Sequence, residues 1–303
     1  MDIVSILNSA LRMSAPIILA GLGGLFTHKA GVLNIALEGM MLIGAFVSVI
    51  VSYLTGNVWI AILLAVIASL ITGLLFSVFG ISLKGNFIII GLAVNIFAAG
   101  MTSYILQTAF GTRGVFSNPQ IVGIHRISIP MLNKIPFIGP ILNNQTPIVY
   151  ISLLSVILVN FIIYKTKFGL YVRVVGENEE AAKAVGLNIN KIKYSSVLIS
   201  SVFCALAGVN LSLENLNMFV ENMTNGRGFI ALAAIFCGKG TPIGTFIFSV
   251  LFGFADSLQM RLQSLNIPGS FIQMIPFIFI VIILTVVAIV QNKGRLSREG
   301  FDE

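Results

Sequence analysis

Long apolar runs separated by short polar or glycine-rich intervals dominate this chain. A hydrocarbon core of ~30 Å takes about 20 residues of helix to cross. Runs of that length fall at roughly 3–25, 31–55, 57–80, 86–109, 146–165, 194–214 and 270–291. Between the last two the pattern is less regular: a short run at 228–238 (GFIALAAIFCG) is broken by Gly-Lys-Gly-Thr-Pro, and 243–260 forms another. The 228–238 run either crosses the membrane or dips in and returns.

Lys and Arg accumulate near the cytoplasmic ends of spans, which decides between these options. Lys165, Lys167, Arg173, Lys183, Lys191 and Lys193 crowd one segment, and Lys293, Arg295 and Arg298 mark the C-terminal tail. Placing both segments in the cytoplasm requires four crossings between them. The 228–238 run then crosses, giving an all-α polytopic bundle of about nine crossings with the N-terminus outside. Lys29, Lys84 and Lys239 join the inner set, against Arg113, Arg126, Lys134, Arg227 and Arg261 outside. The whole of 1–303 is then one transmembrane domain, with an external loop at 110–146, a cytoplasmic segment at 166–193 and a cytoplasmic tail at 292–303. Asp2 stands where a signal peptide would carry Lys or Arg, so the first apolar run is expected to be a retained helix.

Composition agrees. Of 303 residues 57% are hydrophobic and 10% charged, and the mean hydropathy is +1.00; a soluble globule carries about 25% charged residues. The net charge of +7 follows from the cytoplasmic cations and calls for no nucleic acid. Cys204 and Cys237 lie in apolar runs without CxxC or Cys/His spacing and read as small hydrophobes. The external loop carries Pro119, Pro130, Pro136 and Pro140, with Pro147 at its edge, so it cannot be one long helix. It is a spacer or part of the surface where a delivered solute arrives.

A charged side chain at the bilayer centre costs at least ~2.5–3.5 kcal/mol and needs a partner, a wet cavity or a route to the interface. Arg12, Glu38, Glu214 and Asp256 are the candidates. Glu214 is placed at a helix end, within reach of water. Arg12 and Glu38 belong to neighbouring crossings, which allows an ion pair. Asn34 and Glu38, four apart, share a helix face, and Gly21, Gly23, Gly24 and Gly31 precede them. This is either a broken helix lining a pathway or a set of small residues packing helices with Asn and Glu as glue. In the fourth crossing Asn95, Thr102 and Gln107 interrupt an apolar run near Phe87 and Phe97. They either face a cavity suited to a planar solute or simply pack. Asn34, Glu38 and Asn95 are the candidate path residues. His28 and His125 are solitary, without metal-ligand spacing, and no cofactor is implied.

The cytoplasmic segment contains FGLYVRVVGENEEAAKAVGLNINKIKY, residues 168–194. Asn178 is suited to cap a helix, Glu179 and Glu180 complement its dipole, and Gly186 suits its left-handed end. A two-turn helix is too short to stand alone, and its apolar stripe, Ala181, Ala182 and Val185, is expected to dock into another protein.

The pattern Gly176, Glu177, Asn178, Ala181, Ala182, Gly186 resembles the coupling segment of ABC-importer permeases of the branched-chain amino acid and ribose type. HKAGVLNIALEGMMLIGAF and GRGFIALAAIFCGKGTPIG resemble the nucleoside and simple-sugar branch, and the likeness runs from Arg12 to about Val290. The resemblance implies a permease subunit in a bacterial cytoplasmic membrane. Its implied partners are an ATP-binding cassette subunit fitted to the helix at 178–186, a second, unlike permease, an extracytoplasmic solute-binding protein and membrane lipid. The chain departs from the general pattern at Cys237-Gly-Lys.

No ATPase is expected here. A phosphate-cradling loop needs GxxxxGK and then Ser or Thr, whereas Gly238-Lys239 is followed by Gly240, with Ala233 where the first glycine belongs. An ion-coupled secondary transporter using Glu38 and Asp256 is the competing reading, and it leaves the cytoplasmic helix unexplained. An ABC permease for a simple sugar is the other. HExxH, GxSxG and paired-Asp constellations are missing from the predicted helices, which disfavours a membrane enzyme.

Overall fold

The computed structural model describes residues 3–128, 138–262, 271, 274–286 and 289. Lys134 and the tail at 292–303 lie outside the described residues, as does part of the run expected at 270–291. Helices follow in the order α1 (Ile3–Lys29), α2 (Leu37–Thr55), α3 (Val58–Ser77), α4 (Phe87–Phe110), α5 (Ile138–Leu142), α6 (Pro147–Lys165), α7 (Lys167–Glu177), α8 (Glu179–Ala184), α9 (Ile189–Val209), α10 (Arg227–Cys237), α11 (Pro242–Leu262) and α12 (Met274–Val286). Wider π turns at Val78–Ser82 and Asn210–Leu216 extend α3 and α9.

Local chemistry sets many boundaries. Asn57 and Asn86 each accept hydrogen bonds from two amides in the first turns of α3 and α4, satisfying donors that a helix start leaves unpaired. Gly56 and Gly111, both at φ 64°, end α2 and α4 in the left-handed conformation. Seven helices among the described residues are long and apolar enough to cross a membrane, and α10 and α12 are shorter apolar helices.

α1 runs through the centre, packed against α11, α9, α10 and α6. α9 also packs on α2 and α3. α3, α4 and α6 form the outer layer and present large apolar side chains outward, among them Ile96, Leu154 and Ile157.

The two ends of the bundle differ. At one, strands β1 (Val115–Phe116) and β2 (Phe219–Val220) pair antiparallel, Asn8 Nδ2 donates to the Pro140, Ile141 and Asn143 carbonyls, and Arg261 reaches Ser5. At the other lie the C-terminal end of α1, the α3–α4 turn, α7, α8 and the Gly238–Gly240 turn. The chain from β2 to Gly240 therefore passes from one end to the other, with α10 as its helical part.

The crossing expected at 31–55 begins as helix only at Leu37. Residues 30–36 are non-helical, turning at Gly31 with φ 74°. Gly21, Gly23 and Gly24 lie inside unbroken α1, where they serve close packing.

Candidate functional site

The amides at the start of α2 and α10 lack carbonyls of their own helix to bond. Three polar side chains meet that need at one junction, two from the start of α2 and one from α4. Asn95, from α4, accepts from the Gly39 amide at 2.8 Å and donates to the Ile35 carbonyl at 3.0 Å. Asn34 accepts from the Ala36 amide at 3.1 Å and donates to Ser200 Oγ of α9 at 3.3 Å. Glu38 reaches across to α10, accepting from the amides of Gly226 at 2.8 Å and Gly228 at 2.6 Å. A carboxylate there also faces the positive end of the α10 dipole. Position 228 admits no side chain, because a β-carbon would lie 2.7 Å from Glu38 Cα.

The three candidate path residues are thus brought together, each with hydrogen bonds inside the chain. Asn34 and Glu38 do not share a helix face: Asn34 precedes α2 and turns toward α9, while Glu38 turns toward α10. The Arg12–Glu38 pair is likewise replaced. Arg12 donates to Asn8 Oδ1 at 3.2 Å, one turn away on α1. Arg227, the first residue of α10, pairs with Asp256 of α11 at 3.2 Å, and both side chains are largely buried. The start of α10 is therefore held from two sides, by Glu38 and by Asp256. Sequence alone gave no pointer to Arg227 as the partner of Asp256, since the two lie on different helices with no fixed spacing.

Glu214 does a similar job elsewhere. It accepts from the Ile148 amide in the first turn of α6 at 2.9 Å and from Asn210 Nδ2 at 2.5 Å, so at the helix end where it was expected it stands half-buried and caps another helix start. The aromatic cavity expected beside α4 takes a different form. Phe97 and Thr102 line an apolar cavity of about 290 Å³ between α2, α3 and α4, with Phe46, Ile71 and Met101. Asn95 is not among its lining residues, Gln107 is exposed, and Thr102 bonds the Ala98 carbonyl of its own helix.

At the basic end, Asn178 caps α8 by accepting from the amides of Glu180 and Ala181, both at 3.0 Å. Gly186, at φ 80°, closes it. Here the structure splits the expected stripe. Ala182 is fully buried in a cluster with Ala30, Val172, Val175, Ile189 and Ile192, whereas Ala181 is exposed and Val185 is 73% exposed. The inward face of α8 is covered by the chain itself, and a Glu179–Lys193 ion pair ties α8 to α9.

Gly176 reveals a connection that the sequence concealed. A β-carbon there would sit 2.1 Å from the Lys29 carbonyl, so α7 rests directly on the last turn of α1. On the other side, Gly240 (φ 60°) approaches the His28 ring so closely that a β-carbon would meet it at 3.0 Å. The end of α1 is wedged between the segment that carries α8 and the turn that ends α10.

Residues 6–286 match the family described as branched-chain amino acid transport system / permease component. The chain is 36% identical to the guanosine ABC transporter permease protein NupQ of Bacillus subtilis, covering 94% of this chain and 93% of that protein. It is 33% identical to the nucleoside ABC transporter permease protein NupC of Lactococcus lactis, covering 92% and 90%. Among solved structures, an ABC transporter in an inward-facing conformation superposes with a TM-score of 0.52 at 14% identity, covering 93% of this chain and 84% of that one. At that identity the likeness concerns the fold.

Proposed function

The chain belongs to the family of branched-chain amino acid transport system permease components, and from that premise we propose that it is the membrane-spanning subunit of a binding-protein-dependent ABC importer for nucleosides. The observation that carries the substrate class is the 36% identity, over 94% of this chain, to a guanosine permease. A multi-pass permease of this kind performs no hydrolysis itself; ATP is hydrolysed by a separate cassette subunit. A second, unlike permease and an extracytoplasmic solute-binding protein complete the assembly in the bacterial cytoplasmic membrane. Uptake of labelled guanosine and of labelled ribose by the reconstituted assembly tests the reading. Nucleoside-dependent uptake and hydrolysis are expected, and uptake of ribose alone would overturn it.

Nine crossings fit the arrangement of the ends. α10 rises only ~16 Å at 1.5 Å per residue, about half the hydrocarbon thickness, and residues from β2 onward supply the other half. The N-terminus then lies outside, 110–146 outside, and 166–193 and 292–303 in the cytoplasm, within one transmembrane domain spanning 1–303. An impermeant reagent that labels a cysteine at position 183 in sealed cells would refute this orientation.

α8 is the coupling element in this proposal, with Gly176, Glu177, Asn178, Ala181, Ala182 and Gly186 building it. The exposed residues Ala181 and Val185 meet the ATPase, while Ala182 and Gly176 pass the motion inward to the end of α1 and from there, through Gly240, to α10. Asn34, Glu38 and Asn95 hold the helix starts that border the solute path. Val185→Asp should reduce co-purification of the ATPase. Ala182→Trp, by contrast, should lower the stability of the permease itself, because it overfills an internal cluster at a typical cost of ~1–3 kcal/mol.

A further inference from the structure

A second cavity, again about 290 Å³, opens at the basic end between the α3–α4 turn, α8 and the start of α9. Lys84, Lys183 and Lys193 line it from three separate elements, with Glu179, above an apolar floor that includes Ile81 and Phe87. Glu179 is committed to Lys193, whose side chain is 9% exposed. Among the described residues, Lys84 and Lys183 have no acidic partner, which leaves the cavity with uncompensated positive charge. Lys84 is held at φ 54°, a backbone conformation uncommon for a side chain of this kind. Beside the opening, Phe79, Leu83, Ile88 and Ile89 are exposed. A charged pocket next to an apolar outer surface matches a ligand with a phosphate at one end and hydrocarbon at the other.

We propose that this cavity binds the phosphate of an anionic phospholipid of the cytoplasmic leaflet, its acyl chains lying along the outer faces of α3 and α4. Basic pockets between membrane helices on the cytoplasmic side suit anionic head groups. Because Lys183 and Glu179 belong to α8, the lipid would touch the element assigned to coupling. The inference rests on the cytoplasmic orientation of α8 and is independent of the solute carried.

The test uses the assembled transporter in nanodiscs of phosphatidylcholine with and without phosphatidylglycerol, with bound lipid counted by native mass spectrometry. Retention of phosphatidylglycerol over phosphatidylcholine is expected. Lys84→Gln and Lys183→Gln should each weaken it by roughly fivefold, the contribution of one basic side chain near an anionic leaflet. Equal retention of the two lipids, or selectivity unchanged in the Lys84→Gln/Lys183→Gln variant, would overturn the proposal. Displacement of the lipid by inorganic phosphate at matched concentration would assign the pocket to a soluble phosphate instead. Retention seen only without the ATPase subunit would assign it to the protein interface. Labelling of position 183 from outside would refute the orientation separately, since lipid selectivity is read on purified protein.

Discussion

Of the seven long helices among the described residues, the most apolar is among the least buried. The span containing α3 has a mean hydropathy of 2.7 and is 28% buried, whereas α1 has 1.4 and is 83% buried. In water this order would be reversed. Lipid tails are as apolar as leucine, so hydrophobicity gives no reason to bring two membrane helices together; close packing and polar contacts do. α1 and α9 accordingly carry the glycines, alanines and serines that let backbones approach. At Gly208 of α9 a β-carbon would lie 2.2 Å from the Met41 carbonyl, and at Gly253 of α11 it would lie 2.5 Å from Ser14. Ser69 bonds the Ser201 carbonyl at 2.8 Å, and Ser48 bonds Ser212 at 2.9 Å. The inner helices are held by small and polar residues, and the outer ones turn large apolar side chains away from the bundle.

The largest test of this contrast concerns the inner ion pair. Replacing Asp256 by Leu leaves the buried Arg227 guanidinium without its counter-charge and should cost ~3–5 kcal/mol, read as a lowered unfolding midpoint in detergent. The Arg227→Met/Asp256→Leu variant should recover most of that loss, because a well-packed apolar pair is nearly neutral. If Asp256→Leu alone were as stable as the parent, the pair would contribute nothing to holding α10.

Next comes packing. Gly208→Ala puts a methyl group against the α2 backbone, which has no side-chain rotamer to yield, and overpacking of this type costs ~1–3 kcal/mol. Separation of α2 from α9 should appear as faster proteolysis of the purified protein. A protease-resistant Gly208→Ala variant would show that the two helices have room to part.

Adjacent residues of α4 then give a paired comparison. Asn95 points inward to Ile35 and Gly39, while Ile96 is 73% exposed. Asn95→Leu removes two hydrogen bonds, each contributing ~0.5–1.5 kcal/mol, and should lower the melting temperature and solute uptake together. Loss of uptake at full stability would mean instead that Asn95 meets the solute. Ile96→Ala should change stability by less than ~0.5 kcal/mol, as an outer substitution away from specific contacts does. A marked loss on Ile96→Ala in the assembled transporter would show that this face of α4 meets protein.

Much of this architecture is legible along the chain because it depends on local properties. Span length and hydropathy locate the membrane helices. Asn178 followed by two glutamates and closed by Gly186 locates α8, and Gly-Lys-Gly-Thr-Pro marks the end of α10. All of these act within a few residues of where they stand. The family resemblance was likewise carried by ordered local motifs. The destination of a polar side chain is another matter. Glu38 bonds amides 188 and 190 residues away, and nothing within a turn of it distinguishes that role from a pairing with Arg12 or a place on an open path. Ala182 and Ala181 are equally small and apolar, yet one is enclosed by the end of α1, α7 and α9 while the other faces out. What the sequence alone determined is where the long apolar spans lie, which side of the membrane their charges favour and what kind of protein they make; it left α7 and the non-helical start of the second span unmarked. The tertiary structure decided which faces meet, because a helix buries whichever side its neighbours can approach most closely, and that depends on backbones brought together from opposite ends of the chain.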